Sequence, residues 1–404
     1  AIVALDKQSP GMWKALRNQG VFYGTGDPKM VAFLYTGQGS QYVNMLGSLR
    51  GGEPIVDDML ERADRVMEPI LGAPLTDYIY VDGDDEAAVA AANEQLRETE
   101  ITQPAVLAVD GALTEMLGAY GIHPDMVMGH SLGEYGALVA SGALPFEDAL
   151  EAVAGRGREM ASVDVPDRGL MAAVFAPIAD VQAAVDATDE YVVVANINSE
   201  SQAVVGGSTV GVENASARLV EAGHQVIPLP VSHAFHTQIV APASEPLKEI
   251  LHRLRLESPA IPLIANIDGD FYPMGPNVVP RMIDILGKQI ASPVQFVKGL
   301  RTLYDAGCRV FVEVGPKRAL HGFVEDVLGG HDDVTALFTN HPKAGDVVSF
   351  NQALCGLYAA GQGVGTRAQS APAPATSVPA APAAAAPAVA QAAPTPASPS
   401  QVSA

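Results

Sequence analysis

The segment Gly129-His-Ser-Leu-Gly133 has the G-x-S-x-G spacing of a nucleophile elbow. Two glycines let the chain turn sharply and hold the serine between them in a strained, exposed posture. The apolar run before it reads as a strand. Glu134-Tyr-Gly-Ala-Leu-Val-Ala140 after it reads as a helix whose N-terminal dipole faces any anion formed at Ser131. The same pentapeptide could also serve as a plain structural turn, but the strand-turn-helix context favours a nucleophile. A serine needs a base to take its proton. Among nine histidines, His130 adjoins the serine in sequence but points elsewhere on an elbow. His233 and His236 share the loop Val231-Ser-His-Ala-Phe-His-Thr237. A lone histidine is more often structural than catalytic, and two in one loop at a subdomain junction are better placed to line a cleft.

The elements that must position these residues can be read from apolar periodicity. Val31–Tyr35 is a short buried strand feeding the glycine loop Thr36-Gly-Gln-Gly-Ser40. Asp125–Met128 and Arg309–Val314 read as further buried strands, and Pro104–Tyr120 as a helix. Between 168 and 230 the pattern changes to four short strands, at 170–175, 191–195, 203–205 and 225–229. Helical segments lie near 178–187 and 209–222. A β-α-β-β-α-β order suits a small ferredoxin-like insert.

The chain has 404 residues, 48% of them hydrophobic and 17% charged, which is the composition of a globular protein with a substantial core. A net charge of −22 argues against a nucleic-acid-binding role, which needs a basic footprint. It leaves room for an anionic substrate held by a local cluster of cations. No long uninterrupted apolar run suggests a membrane span, and Ala1–Lys14 lacks the layout of a signal peptide. The missing initiator Met suggests a segment of something longer, although processing also removes an initiator Met. Cys308 and Cys355 read as buried free thiols in apolar helical surroundings, which fits a reducing cytoplasm. No His or Cys spacing suggests a metal site. Residues 368–404 carry no charge and are mostly Ala, Pro, Ser, Thr and Val, the composition of an extended interdomain linker.

Five motifs in order complete the reading: Thr36-Gly-Gln-Gly-Ser-Gln41, Thr102-Gln-Pro104, Gly129-His-Ser-Leu-Gly-Glu-Tyr135, Ser232-His-Ala-Phe-His236 and Glu313-Val-Gly-Pro316. Together they resemble the malonyl-CoA:acyl carrier protein transacylase family. The resemblance is greatest to acyltransferase domains of polyketide synthases and polyunsaturated fatty acid synthases, over roughly residues 30–325. It implies an α/β-hydrolase-like large subdomain (31–167 and 231–361) carrying the ferredoxin-like insert (168–230). Linker segments at 1–30 and 362–404 would flank them, the second disordered and rich in Ala and Pro. It implies Ser131 as nucleophile and His236 as general base, oriented by the backbone carbonyl of Gln289 rather than by an acid. The backbone N–H groups of Gln38 and Leu132 would form an oxyanion hole.

By the same resemblance Arg156, in Ala154-Gly-Arg-Gly157, pairs bidentately with the free carboxylate of a malonyl group. The plain alternative is a surface arginine beside Arg158. Gln103 would line the same pocket, with His130, His233 and Phe235 as further pocket and specificity residues, and Asn198 would be structural. The His233-Ala-Phe-His236 loop resembles the form that selects malonyl over methylmalonyl units. The implied reaction needs no permanently bound cofactor. Malonyl-CoA is the substrate, and the phosphopantetheine arm of an acyl carrier protein the acceptor. Neighbouring megasynthase domains would be partners, with neither nucleic acid nor membrane. Two rival readings share the elbow. A serine esterase or thioesterase would use water in the second step, and a non-catalytic docking domain would use neither.

Overall fold

The computed structural model describes residues 10–17 and 19–364. The expected linker at 362–404 therefore lies outside the described residues except at 362–364, as do 1–9 and 18 of the expected N-terminal segment. In that segment Pro10–Arg17 is a helix, and Trp13 stacks on Tyr23 with ring centroids 4.9 Å apart. Among the described residues no helix is long and apolar enough to cross a membrane.

Among the described residues, ten strands form two five-stranded sheets. The first contains β1 (Met30–Tyr35), β2 (Met126–Gly129), β7 (Leu263–Ile264), β9 (Cys308–Val314) and β10 (Thr335–Phe338). Its order is β10-β9-β1-β2-β7, and every pairing is parallel. A parallel sheet covered on both faces needs strands that are apolar on both faces, as Met-Val-Ala-Phe-Leu-Tyr is in β1. The two-residue period then divides the side chains between two cores. Val31, Phe33 and Tyr35 enter one with Val106, Val109 and Leu113 of the Thr99–Ala119 helix. Ala32 and Leu34 enter the other with Phe296, Leu300 and Leu303 of the Phe296–Asp305 helix. Each such fully buried large apolar side chain contributes roughly 1.5–3 kcal/mol.

The second sheet is mixed and holds β3 (Leu170–Phe175), β4 (Val192–Ile197), β5 (Gln202–Gly207), β6 (Gln225–Pro228) and β8 (Val294–Gln295), in the order β6-β3-β5-β4-β8. The first three pairings are antiparallel, and β8 joins β4 in parallel. One face packs on the helices Ile178–Asp186 and Thr209–Glu221 through Val174, Val205, Val181 and Leu219. Met171, Ala173, Ala195 and Val204 turn toward the main core. The coarse architecture is thus α/β, with one parallel and one mixed sheet.

Two expectations need correction. The long helix begins at Thr99, so Pro104 lies inside it rather than at its first position. Cys308 is buried, but in strand β9 rather than a helix, and Cys355 is exposed on the Asp346–Ala359 helix. A small polarizable side chain fits either surrounding, so local hydropathy did not fix burial.

Candidate active site

Strand β2 ends at Gly129 and the Gly133–Ala140 helix begins four residues later, so the chain must reverse within Gly129–Gly133. Ser131 takes a left-handed φ of 54°. Both flanking glycines are required by close backbone approach. A Cβ on Gly129 would lie 1.9 Å from the carbonyl carbon of Gly133, and one on Gly133 would lie 2.1 Å from the carbonyl oxygen of Tyr35 at the end of β1. A side chain from after β7 holds the strained turn. Asn266 accepts from the Ser131 amide at 2.6 Å and donates its Nδ2 to the Gly129 carbonyl at 2.7 Å. Ser131 is thereby fixed beyond the carboxyl end of the central strands, where ligands of open parallel sheets bind.

The loop that returns from the second sheet brings His236, itself at a φ of 60°, against the serine. Its Nε2 lies 2.7 Å from Ser131 Oγ. Its Nδ1 faces two acceptors, the carbonyls of Gln289 at 3.0 Å and Ser292 at 3.1 Å. Nδ1 must therefore carry the hydrogen, which leaves Nε2 as the acceptor for the serine hydroxyl. Burial, and then the nearby positive charge of Arg156, push the imidazole's pKa down to about 3. The ring is a neutral base throughout the neutral range.

Arg156 comes from the Phe146–Ala161 helix and is 1% exposed. Its Nη1 donates to Gln103 Oε1 at 3.0 Å, and its Nη2 to Gln289 Oε1 at 3.0 Å and Ser131 Oγ at 3.3 Å. Among the described residues no carboxylate contacts it; Glu134, linked to it through the Gln289 amide, attracts it at longer range, and neither Arg156 Nε nor Gln103 Nε2 finds an acceptor. Burying a cation without a carboxylate in contact costs several kcal/mol. Burial accordingly lowers the guanidinium's pKa, although it remains charged.

The remaining expected residues fall into two groups. The glycine loop after β1 closes on the elbow, because a Cβ on Gly37 would lie 2.5 Å from the carbonyl oxygen of His130. The amides of Gln38 and Leu132 donate to no protein acceptor among the described residues. His130 turns its Nε2 to Asn198 Oδ1 at 2.7 Å and packs against Phe296. Burial lowers its pKa. His233 is fully buried and bonds the carbonyl of Val163 at 3.0 Å, so it ties the loop to the end of the Phe146–Ala161 helix rather than joining Ser131 and His236. Phe235 is buried in the main core.

Sequence reasoning gave no role to Asn266, Ser292, Glu134 or Tyr272, nor to the side chain of Gln289. Glu134 is fully buried and accepts from Tyr272 Oη, from Gln289 Nε2 at 2.9 Å and from the Asn266 amide at 3.3 Å. Burial raises its pKa to about 7 against these hydrogen bonds. One signal was available: Asn266 ends the apolar run Ile261–Ala265, where a polar residue marks a strand's functional edge.

The acyl transferase domain family model matches residues 32–355. Malonyl CoA-acyl carrier protein transacylase of Bacillus subtilis (strain 168) is 35% identical over 74% of this chain and 90% of its own length. Spectinabilin polyketide synthase system protein NorB of Streptomyces orinoci is 32% identical over 81% of this chain, which spans only 14% of that protein. Among solved structures, a type II polyketide synthase acyl-carrier protein in complex with its malonyl-transacylase matches with a TM-score of 0.69 and 27% identity. That match covers 81% of this chain and 99% of the solved one. A matched span that begins in β1 and takes in the elbow, the histidine loop and the buried arginine makes this chain a member of the acyl transferase domain family.

Proposed function

We propose that this domain transfers malonyl units from malonyl-CoA to the phosphopantetheine thiol of an acyl carrier protein through a malonyl-serine ester. One observation carries the substrate choice. A buried guanidinium beside the nucleophile, with no carboxylate in contact and with Nε and the adjoining Gln103 Nε2 unfilled, is a receptor for a carboxylate. A malonyl thioester has a carboxylate next to its reacting carbonyl; an acetyl thioester has none.

In the first half-reaction Ser131 Oγ–H gives its proton to His236 Nε2 as Oγ bonds to the thioester carbon. The oxyanion is met by the Gln38 and Leu132 amides, whose freedom from protein acceptors supports this role. The C–S bond then breaks, and the CoA sulfur takes the proton from His236. In the second half the phosphopantetheine thiol gives its proton to His236 and attacks the ester. The C–O bond breaks and Ser131 Oγ recovers the proton. The carbonyls of Gln289 and Ser292 stabilise the transient imidazolium, the role an acid plays in other serine enzymes.

Residues 31–167 and 231–361 act as an α/β-hydrolase-like subdomain and 168–230 as a ferredoxin-like insert. The β3–β6 order and the two helices on one face support that division. The relative solved with its carrier protein supports the acceptor, and the multidomain relative supports neighbouring megasynthase domains as partners. Incubation with malonyl-CoA, with and without a phosphopantetheinylated carrier protein, tests the reading. Malonyl-carrier formation that outpaces release of free malonate is expected. Rapid malonate release unaffected by the carrier would make the domain a hydrolase.

A further inference from the structure

We propose that Glu134 is a positioning residue that fixes which end of the Gln289 amide faces Arg156, and through it holds Arg156 ready for an anionic acyl group. The inference rests on the carboxylate-binding role of Arg156 proposed above. A side-chain amide has one donor end and one acceptor end, and only the acceptor end can face a guanidinium. The Gln289 side chain touches three groups. On one side it meets two acceptors, the Ser131 carbonyl at 2.7 Å and Glu134 Oε2 at 2.9 Å. On the other it meets Arg156 Nη2 at 3.0 Å. Two acceptors require the amide's NH₂ on their side, which leaves Oε1 for Arg156.

Glu134 is suited to set this direction because it receives only donors. Tyr272 Oη reaches one of its oxygens, and the Asn266 amide and Gln289 Nε2 reach the other. An ionised carboxylate satisfies all three at once. A neutral amide in its place could turn either end to Gln289, because the Tyr272 hydroxyl can accept from an NH₂ group as well as donate to an oxygen; only a carboxylate offers acceptors on both sides. If the NH₂ end faced Gln289, that side chain would flip and turn its own NH₂ onto the guanidinium. Arg156 would then lose an acceptor and gain a repelling donor in a site that excludes water. Glu134 does not touch the acyl group. Its influence should be felt only by substrates that use Arg156.

The test compares kcat/KM for malonyl-CoA and acetyl-CoA in wild type, Glu134→Gln, Arg156→Ala and the double variant. Malonyl loading by Glu134→Gln should fall about tenfold or more, with acetyl loading nearly unchanged. In the Arg156→Ala background the same change should have almost no further effect, because the two residues act as one unit. Equal losses with both substrates, full retention of malonyl preference in Glu134→Gln, or an undiminished Glu134→Gln effect without Arg156 would overturn the proposal. If Glu134→Gln does not fold, Glu134→Asp withdraws the carboxylate from Gln289 by one methylene while keeping its charge. It should give the same malonyl-specific loss, and retained preference would equally overturn the proposal. An unchanged malonyl preference in Arg156→Ala alone would instead refute the role of Arg156.

Discussion

Replacing Arg156 with alanine should convert the domain from a malonyl-selective enzyme into an unselective one. The side chain is 1% exposed and sits 3.3 Å from the nucleophile, so solvent cannot substitute for it. A hydrogen bond to a charged group contributes about 1.5–3 kcal/mol, and two parallel ones to a carboxylate roughly double that. Part is offset because the variant no longer buries a cation that lacks a contacting carboxylate. A net loss of about 3 kcal/mol corresponds to roughly two decades in kcat/KM for malonyl-CoA. Acetyl-CoA makes no such pair and should hold its rate or gain. A second consequence follows from His236, whose pKa of about 3 reflects burial first and the charge of Arg156 second. Without that charge the imidazole becomes more basic, so the acid limb of acetyl loading should move to higher pH. Competition between equimolar malonyl-CoA and acetyl-CoA, read as covalent loading by intact mass, gives the ratio directly. A ratio equal to that of wild type would refute the reasoning.

Phe235 is buried beside His236, and if its ring fills the space a branched acyl group needs, overpacking of roughly 1–3 kcal/mol separates malonyl from methylmalonyl. Phe235→Ser should then narrow that gap by raising methylmalonyl loading, and equal loading of both by wild type would remove the premise. Glu313, in β9, is fully buried with its pKa raised from 4.5 to about 7, chiefly by desolvation. A raised carboxyl favours the fold below its unfolded value and loses that contribution as pH rises through 7, here up to about 3 kcal/mol. Chemical denaturation from pH 4.5 to 8 should therefore show a smaller pH slope for Glu313→Gln than for wild type; equal slopes would show that Glu313 is already ionised at low pH.

What could be read in advance was whatever a short stretch of chain determines. Leu170–Phe175 forms a strand with the bounds its composition suggests, and Val31–Tyr35 lies wholly within β1. Strands β7 and β8 have two residues each, too few for any period to show, and β10 is partly exposed; none of the three was anticipated. The Ser131 and His236 side chains meet at 2.7 Å although they lie 105 residues apart; the shared loop pointed to His233 and His236 together, and only the motif resemblance chose His236. Glu134 and Tyr272 left no local trace, and Asn266 only its place at the end of an apolar run, because their roles exist only where separate strand ends and loops converge. The second bond of His236, to the Ser292 carbonyl, arises the same way: the chain after the Val279–Gln289 helix turns two carbonyls toward one imidazole.

The central claim is that Ser131 carries the malonyl group between donor and acceptor. The most direct measurement is intact-mass analysis of the domain after brief mixing with malonyl-CoA and acid quench, followed by peptide mapping. Wild type should gain one malonyl group on the peptide containing Ser131 and lose it when a phosphopantetheinylated carrier protein is added, while Ser131→Ala should gain none. A malonyl adduct that persists in Ser131→Ala, or a folded wild type that gains none, would contradict the account.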